Sequence, residues 1–95
     1  MPIAAERDGE RIAVEVKSFL GPSDVTDLER ALGQYALYLS LLRVKEPGRV
    51  LYIAVPKLAF ESFVGLPSTL AVIRDWSVKL IVFEPEKEVI VSWLQ

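Results

Sequence analysis

Two strand patterns of opposite character, separated by one long helical pattern, constrain the fold of this chain more than any other feature of its sequence. In Arg11-Ile12-Ala13-Val14-Glu15-Val16-Lys17-Ser18, Ile12, Val14 and Val16 alternate with Ala13, Glu15 and Lys17, which gives a strand two distinct faces. Arg49 to Val55 is instead nearly continuous in apolar residues, as in a strand buried on both faces and often parallel to its neighbours. Between them, Ser23 is placed to cap a helix, Asp24 and Asp27 fall in a first turn where carboxylates interact well with the helix dipole, and Pro47-Gly48 stops it. The helix expected from about Asp24 to Lys45 is then the crossover of a β-α-β unit, right-handed by default.

The remaining elements fit around that unit. Asp8-Gly9 adopts positive φ readily and suits a two-residue hairpin turn between Pro2–Arg7 and Arg11–Ser18. After Pro56, Lys57–Val64 and Ser68–Trp76 read as short helices separated by Gly65-Leu66-Pro67. Val78–Phe83 and Val89–Leu94 read as a closing strand pair around Glu84-Pro85-Glu86-Lys87-Glu88. The expected fold class is α/β: a mixed sheet with one long crossover helix and short flanking helices, in a single domain spanning residues 1–95.

On the long helix, Val25, Leu28, Leu32, Tyr35, Leu39 and Leu42 form the stripe expected to pack on the sheet. Ala31, Gln34, Tyr38 and Leu41 form a second stripe about 110° away at 100° per residue. Leu37 and Val44 fall on the remaining side, so the helix is apolar nearly all round. With 52% hydrophobic residues and a mean hydropathy of +0.33, a chain this short carries more apolar surface than a small domain easily hides. A partner surface is expected, as a homo-oligomer or as part of a hetero-complex. No apolar run approaches the ~20 residues of a membrane span and the N-terminus does not resemble a signal peptide, so a soluble cytoplasmic protein with no membrane partner is expected.

The sequence contains no cysteine and no histidine. Disulfides, thiolate or imidazole metal sites, cysteine nucleophiles and a histidine general base are therefore excluded. Any catalysis must run on carboxylates, lysine and a hard, oxygen-bound cation such as Mg²⁺. The net charge of −2 gives no global basic field of the kind that drives nonspecific nucleic-acid binding.

Against that background Glu15 and Lys17 stand out. Two residues apart on one strand face, they are separated by roughly 6.5 to 7 Å at the backbone. A divalent ion could sit on Glu15 while Lys17 reaches a water or a phosphate oxygen beside it. The triplet alone is weak, because in a chain that is 25% charged a Glu-x-Lys arises readily by chance. Such a pair on a half-exposed strand is usually solvated and worth a few tenths of a kcal/mol. Its setting adds weight: Ser18 and Phe19 lead into a break and a helix, and α/β sheets bind ligands near such strand ends. Gln34 and Tyr38, one turn apart on an otherwise apolar helix, either form an interfacial amide and a half-buried phenol or project toward the Glu15 face.

The hairpin, the Glu15-Val16-Lys17 strand, the Gln34-x-x-x-Tyr38 helix and the buried strand, in this order, resemble the PD-(D/E)xK nuclease superfamily, particularly its RecB-like branch. More specifically, Ile3-Ala4-Ala5-Glu6-Arg7, Ile12 to Phe19, Ala31-Leu32-Gly33-Gln34-Tyr35, Arg49 to Pro56 and Val78-Lys79-Leu80-Ile81-Val82 look like the XisH family. Its members are named fdxN element excision controlling factors, cyanobacterial accessories to a developmental DNA excision. The resemblance implies a restriction-endonuclease-like fold and Mg²⁺-dependent phosphodiester hydrolysis as the ancestral activity. Glu15 and the Val16 carbonyl would be metal ligands, Lys17 would activate water or stabilise charge, and Gln34 and Tyr38 would support them. DNA and an excision accessory protein are the implied partners.

The superfamily pattern also includes an Asp on the strand before the Glu-x-Lys strand, and family members carry an N-terminal helix and strand. The present sequence, starting at Met1, contains neither and is read as N-terminally shortened. Glu6 does not replace that Asp, because in a two-residue hairpin it pairs with Arg11, roughly 13 Å from Glu15. The metal site is thus expected to be weak or lost. Two functions follow: a nuclease-like protein of DNA excision, or a non-catalytic interaction module that controls a recombinase or excision complex.

Overall fold

The computed structural model describes residues 2–94. Its elements are β1 (Ile3–Arg7), β2 (Glu10–Val16), α1 (Asp24–Lys45), β3 (Val50–Pro56), α2 (Lys57–Ala59) running into a π-helical segment (Phe60–Val64), α3 (Pro67–Asp75), β4 (Leu80–Glu84) and β5 (Val89–Leu94). The five strands form one sheet in sequence order. Strands β2, β3 and β4 are mutually parallel, and β1 and β5 are antiparallel additions at the two edges.

Local chemistry sets most of these boundaries. Asp8 and Gly9 take φ of 49° and 82°, the two positive values that a two-residue hairpin turn requires, and the register pairs Arg7 with Glu10 and Glu6 with Arg11. Ser23 caps α1 by accepting the N–H of Thr26 at 3.2 Å, while Arg43 and Lys45 occupy the last turn, where cations suit the helix dipole. Lys17 donates its N–H to the Ala54 carbonyl at 2.9 Å. The next bond of that parallel ladder would need an N–H from Pro56, which has none, so β2 is released from β3 there and turns toward α1.

Strand alternation divides the apolar residues between two faces. On one, Ala13, Leu51, Ile53, Val55, Leu80 and Val82 pack with Ala31 and Tyr35 of α1, Val64 of the π segment and Ile73 of α3. All the helical elements lie on this side. The other face gathers Ile12, Tyr52, Ala54 and Ile81 with Val14, Val50, Phe83 and Trp93. Trp93 meets the Tyr52 ring edge-on at 5.2 Å, and the Arg7 guanidinium lies 3.7 Å over its own ring.

Several elements differ from the sequence expectation. The helix expected over Lys57–Val64 is one α turn followed by a π-helical turn closed by Gly65 N–H to Phe60 O at 2.7 Å. A Cβ at Gly65 would stand 2.7 Å from the Phe60 ring, so glycine is what allows this closure. The strand expected from Val78 begins at Leu80. Ser77 takes a left-handed φ of 54°, and Val78 and Ser77 donate to Ile73 and Arg74 at 3.0 Å each, a Schellman ending for α3 with Val78 and Ile73 both in the core.

On α1 the packed face centres on Ala31 and Tyr35, flanked by Leu28, Leu32, Tyr38, Leu39 and Leu42. The two expected stripes therefore merge, with small Ala31 allowing the helix close to the sheet. Val25, expected in the packed stripe, is 59% exposed in the first turn. Leu37, Leu41 and Val44 are exposed, and so is Trp76, at the C-cap of α3.

Candidate active site

The site is assembled by β2 and α1. Alternation places Glu15 and Lys17 on the helix-covered face, beside Ala13 of the core, and the β2–β3 register sets Glu15 against Ile53. Glu15 is buried, with 9% of its surface exposed. Across from it, α1 is fixed by Tyr35, whose hydroxyl donates to the Leu51 carbonyl at 3.3 Å and accepts the Lys79 N–H at 3.5 Å. Burial pushes the Tyr35 hydroxyl above the ordinary tyrosine range, and the Lys79 N–H partly offsets this. The hydroxyl thus stays protonated and can donate to the sheet.

With Tyr35 held, its neighbour Gln34 faces the end of β2. The Lys17 ammonium donates to the Gln34 side-chain carbonyl and lies 3.5 Å from a Glu15 carboxylate oxygen. Three of the four side chains singled out in the sequence therefore meet: Glu15, Lys17 and Gln34. Tyr38 lies one turn further along α1, half-buried against the core, and among the described residues the hydrogen bond and ion pair that join the other three do not extend to it. An ammonium carries three donors. With one donated to Gln34 and Glu15 paired by charge at 3.5 Å, donor capacity remains for a water or an anionic oxygen.

The segment leaving β2 shapes one side of the site. Phe19 takes a left-handed φ of 56°, a conformation that costs a non-glycine residue on the order of 1–2 kcal/mol. Its ring packs 6.1 Å from Phe63 and against the core, which holds the backbone in place. Gly21 then donates its N–H to Asp27 at 3.0 Å, and a Cβ at Gly21 would stand 2.7 Å from the same carboxylate. A groove of about 280 Å³ runs beside Lys17 and Gln34 between this segment and the first turns of α1.

Metal-binding capacity is limited. Among the described residues no three carboxylates gather in one place. Glu15 is the one carboxylate of the Lys17–Gln34 cluster, and Asp27 lies further along the groove, engaged by Gly21. A carboxylate with the neighbouring Val16 carbonyl is a partial donor set for Mg²⁺, which commonly keeps waters and shares substrate phosphate oxygens. The residues present fit such a shared site and do not form a closed cage.

Sequence reasoning did not single out Arg49, whose guanidinium joins Glu46 to the Ala5 and Ile12 carbonyls, nor the Tyr35 hydroxyl contacts. The approach of the Gly21 N–H to Asp27, six residues on, was likewise not singled out.

The arrangement defines a mixed α/β protein with a carboxylate, lysine and amide cluster at the end of a parallel strand. The family model described as "XisH protein" matches residues 1–91, and the chain belongs to the XisH family. It is similar to the crystal structure of an XisH family protein from Nostoc punctiforme, at 44% identity and a TM-score of 0.93, covering 99% of this chain and 74% of that one. It is likewise similar to an fdxN element excision controlling factor protein from Anabaena variabilis, at 45% identity and a TM-score of 0.91 with the same coverage. No curated protein matches the chain at a significant level. Among the described residues no helix is long and apolar enough to cross a membrane.

Proposed function

We propose that this protein acts in the control of DNA excision through a nuclease-type site on a restriction-endonuclease-like sheet, in which Glu15 and Lys17 address a phosphodiester. The observation that carries this reading is the convergence of Lys17 with Glu15 and Gln34 on the helix-covered face. Lys17 is fixed by Gln34, so its ammonium is oriented before substrate arrives, and orientation of this kind lowers the barrier to an associative step. Its charge suits either an attacking water or a phosphate oxygen that gains charge in the transition state. Mg²⁺ held by the Glu15 carboxylate and the Val16 carbonyl would supply Lewis-acid polarisation of the phosphate. Tyr38 supports the arrangement by packing one turn from Gln34. The role in excision rests on the family and on the name of the Anabaena relative.

Cleavage of supercoiled plasmid and of short duplexes in Mg²⁺ or Mn²⁺ tests the reading. Metal-dependent nicking that disappears in Lys17→Ala and Glu15→Gln is expected. Equal activity in both variants and wild type would remove these residues from the chemistry.

A second reading is favoured by the exposure of Leu37, Leu41 and Val44 on α1. These residues would form part of a surface that binds a second copy or an excision accessory protein, with the fold retained as a non-catalytic module. Light scattering separates the cases: a 10.6 kDa particle at high concentration, without a partner, argues against self-association.

A further inference from the structure

We infer that Arg30 is a phosphate-positioning residue, which binds the nucleic-acid backbone in the groove next to the Lys17 site. The inference rests on the nuclease-type reading and deepens it by assigning the direction in which the strand leaves the site. Arg30 lines the same groove as Lys17, Gln34 and Asp27. It lies one helical turn before Gln34 on α1, and residues four apart on a helix have their Cβ atoms roughly 5–6 Å apart. Because Gln34 holds the Lys17 ammonium, Arg30 on α1 and Lys17 at the end of β2 line one groove together.

Asp27, one turn before Arg30, accepts the Gly21 N–H at 3.0 Å with one of its two carboxylate oxygens, and the absence of a Cβ at Gly21 is what lets that carboxylate close the wall of the groove. Among the described residues Arg30 takes part in no ion pair. With a net charge of −2, the protein has no global field to hold a polyanion, so local cations must do so. A guanidinium presents a planar fork of donors that matches two oxygens of one phosphate. Lys17 meets the phosphate to be cleaved, and Arg30 takes a flanking one, which runs the strand over the N-terminal turns of α1 rather than toward Tyr38.

Fluorescence anisotropy of a labelled short DNA duplex tests the assignment. Binding is measured across a salt series in Ca²⁺ for wild type, Arg30→Ala, Arg30→Lys, Lys17→Ala and Arg43→Ala, each checked for folding by circular dichroism. Arg43 is exposed near the other end of α1 and does not line the groove, so it serves as the control. Loss of one phosphate contact lowers the slope of log K against log salt by about 0.9 and weakens binding several-fold, on the order of three to ten. The expected result is this change in Arg30→Ala, near-complete recovery of the slope in Arg30→Lys, and no change in Arg43→Ala. If Lys17→Ala weakens binding while Arg30→Ala behaves like Arg43→Ala, the assignment of Arg30 is wrong and the nuclease-type site stands. If wild type does not bind, both fall together.

Discussion

The ammonium of Lys17, on β2, donates to the side-chain carbonyl of Gln34, on α1, so the end of a sheet strand and the middle of the long helix are joined by one polar contact. Glu15 lies 3.5 Å from the same ammonium with its carboxylate largely out of solvent. Low exposure raises the cost of disturbing such a cluster above that of a surface pair. Lys17→Met, which removes the ammonium from beside Glu15, is expected to destabilise the fold by about 1–3 kcal/mol. Adding Glu15→Gln should return part of that loss. Urea unfolding of the two single variants and the double variant measures the coupling, and strictly additive values would show that the pair does not interact.

Metal affinity follows from the same donor set. With one carboxylate and one carbonyl, most of an octahedral Mg²⁺ shell is left to water and substrate oxygens. Titration calorimetry on the protein alone should find weak Mn²⁺ binding, on the order of millimolar. Glu15→Gln should abolish it. A micromolar site lost in Glu15→Gln would mean that further carboxylates, such as Asp24 or Asp27, join the ligand set.

Tyr35 gives the fold a specific response to alkali. Burial raises its folded-state pKa above the unfolded value of 10.0, so above that pH the unfolded chain releases a proton that the folded chain retains. The stabilising contribution is complete below pH 10 and is lost as pH rises through the higher folded value. Tyr35→Phe removes the donor to Leu51 and should cost about 1 kcal/mol at neutral pH. Its unfolding free energy should also fall less steeply than wild type above pH 10. Parallel alkaline slopes would rule out Tyr35 as their source.

Where local chemistry decides, the fold was readable from the residues themselves. Ser23 and Pro47-Gly48 bound α1, Asp8-Gly9 turns the first hairpin, and period-two alternation put Glu15 and Lys17 on the face that α1 covers. The step of 100° per residue brought Gln34 to the same face. Where distant groups decide, sequence patterns carried no signal. The π turn after Ala59 depends on how close Gly65 comes to Phe60, and the late start of β4 depends on Val78 closing α3 onto the core. The left-handed φ of Phe19 is imposed by its packing on Phe63, since nothing about phenylalanine favours that conformation.

Arg49 shows the same limit and supplies a strong test of the architecture. Its guanidinium donates twice to Glu46, at 3.2 Å each, and once each to the carbonyls of Ile12 at 2.8 Å and Ala5 at 3.2 Å. One side chain thus ties the C-cap of α1 to both strands of the first hairpin, which in turn places the strand carrying Glu15 and Lys17. A planar fork with five donors can serve all these acceptors at once, whereas an ammonium on a flexible stem cannot. Arg49→Lys, though it keeps the charge, is expected to cost about 1.5–3 kcal/mol, the range for hydrogen bonds to charged groups. Hydrogen exchange should also speed up first in β1, the edge strand, before the parallel strands are affected. A lysine variant with wild-type stability and unchanged β1 protection would show that the sheet register holds the hairpin without this brace.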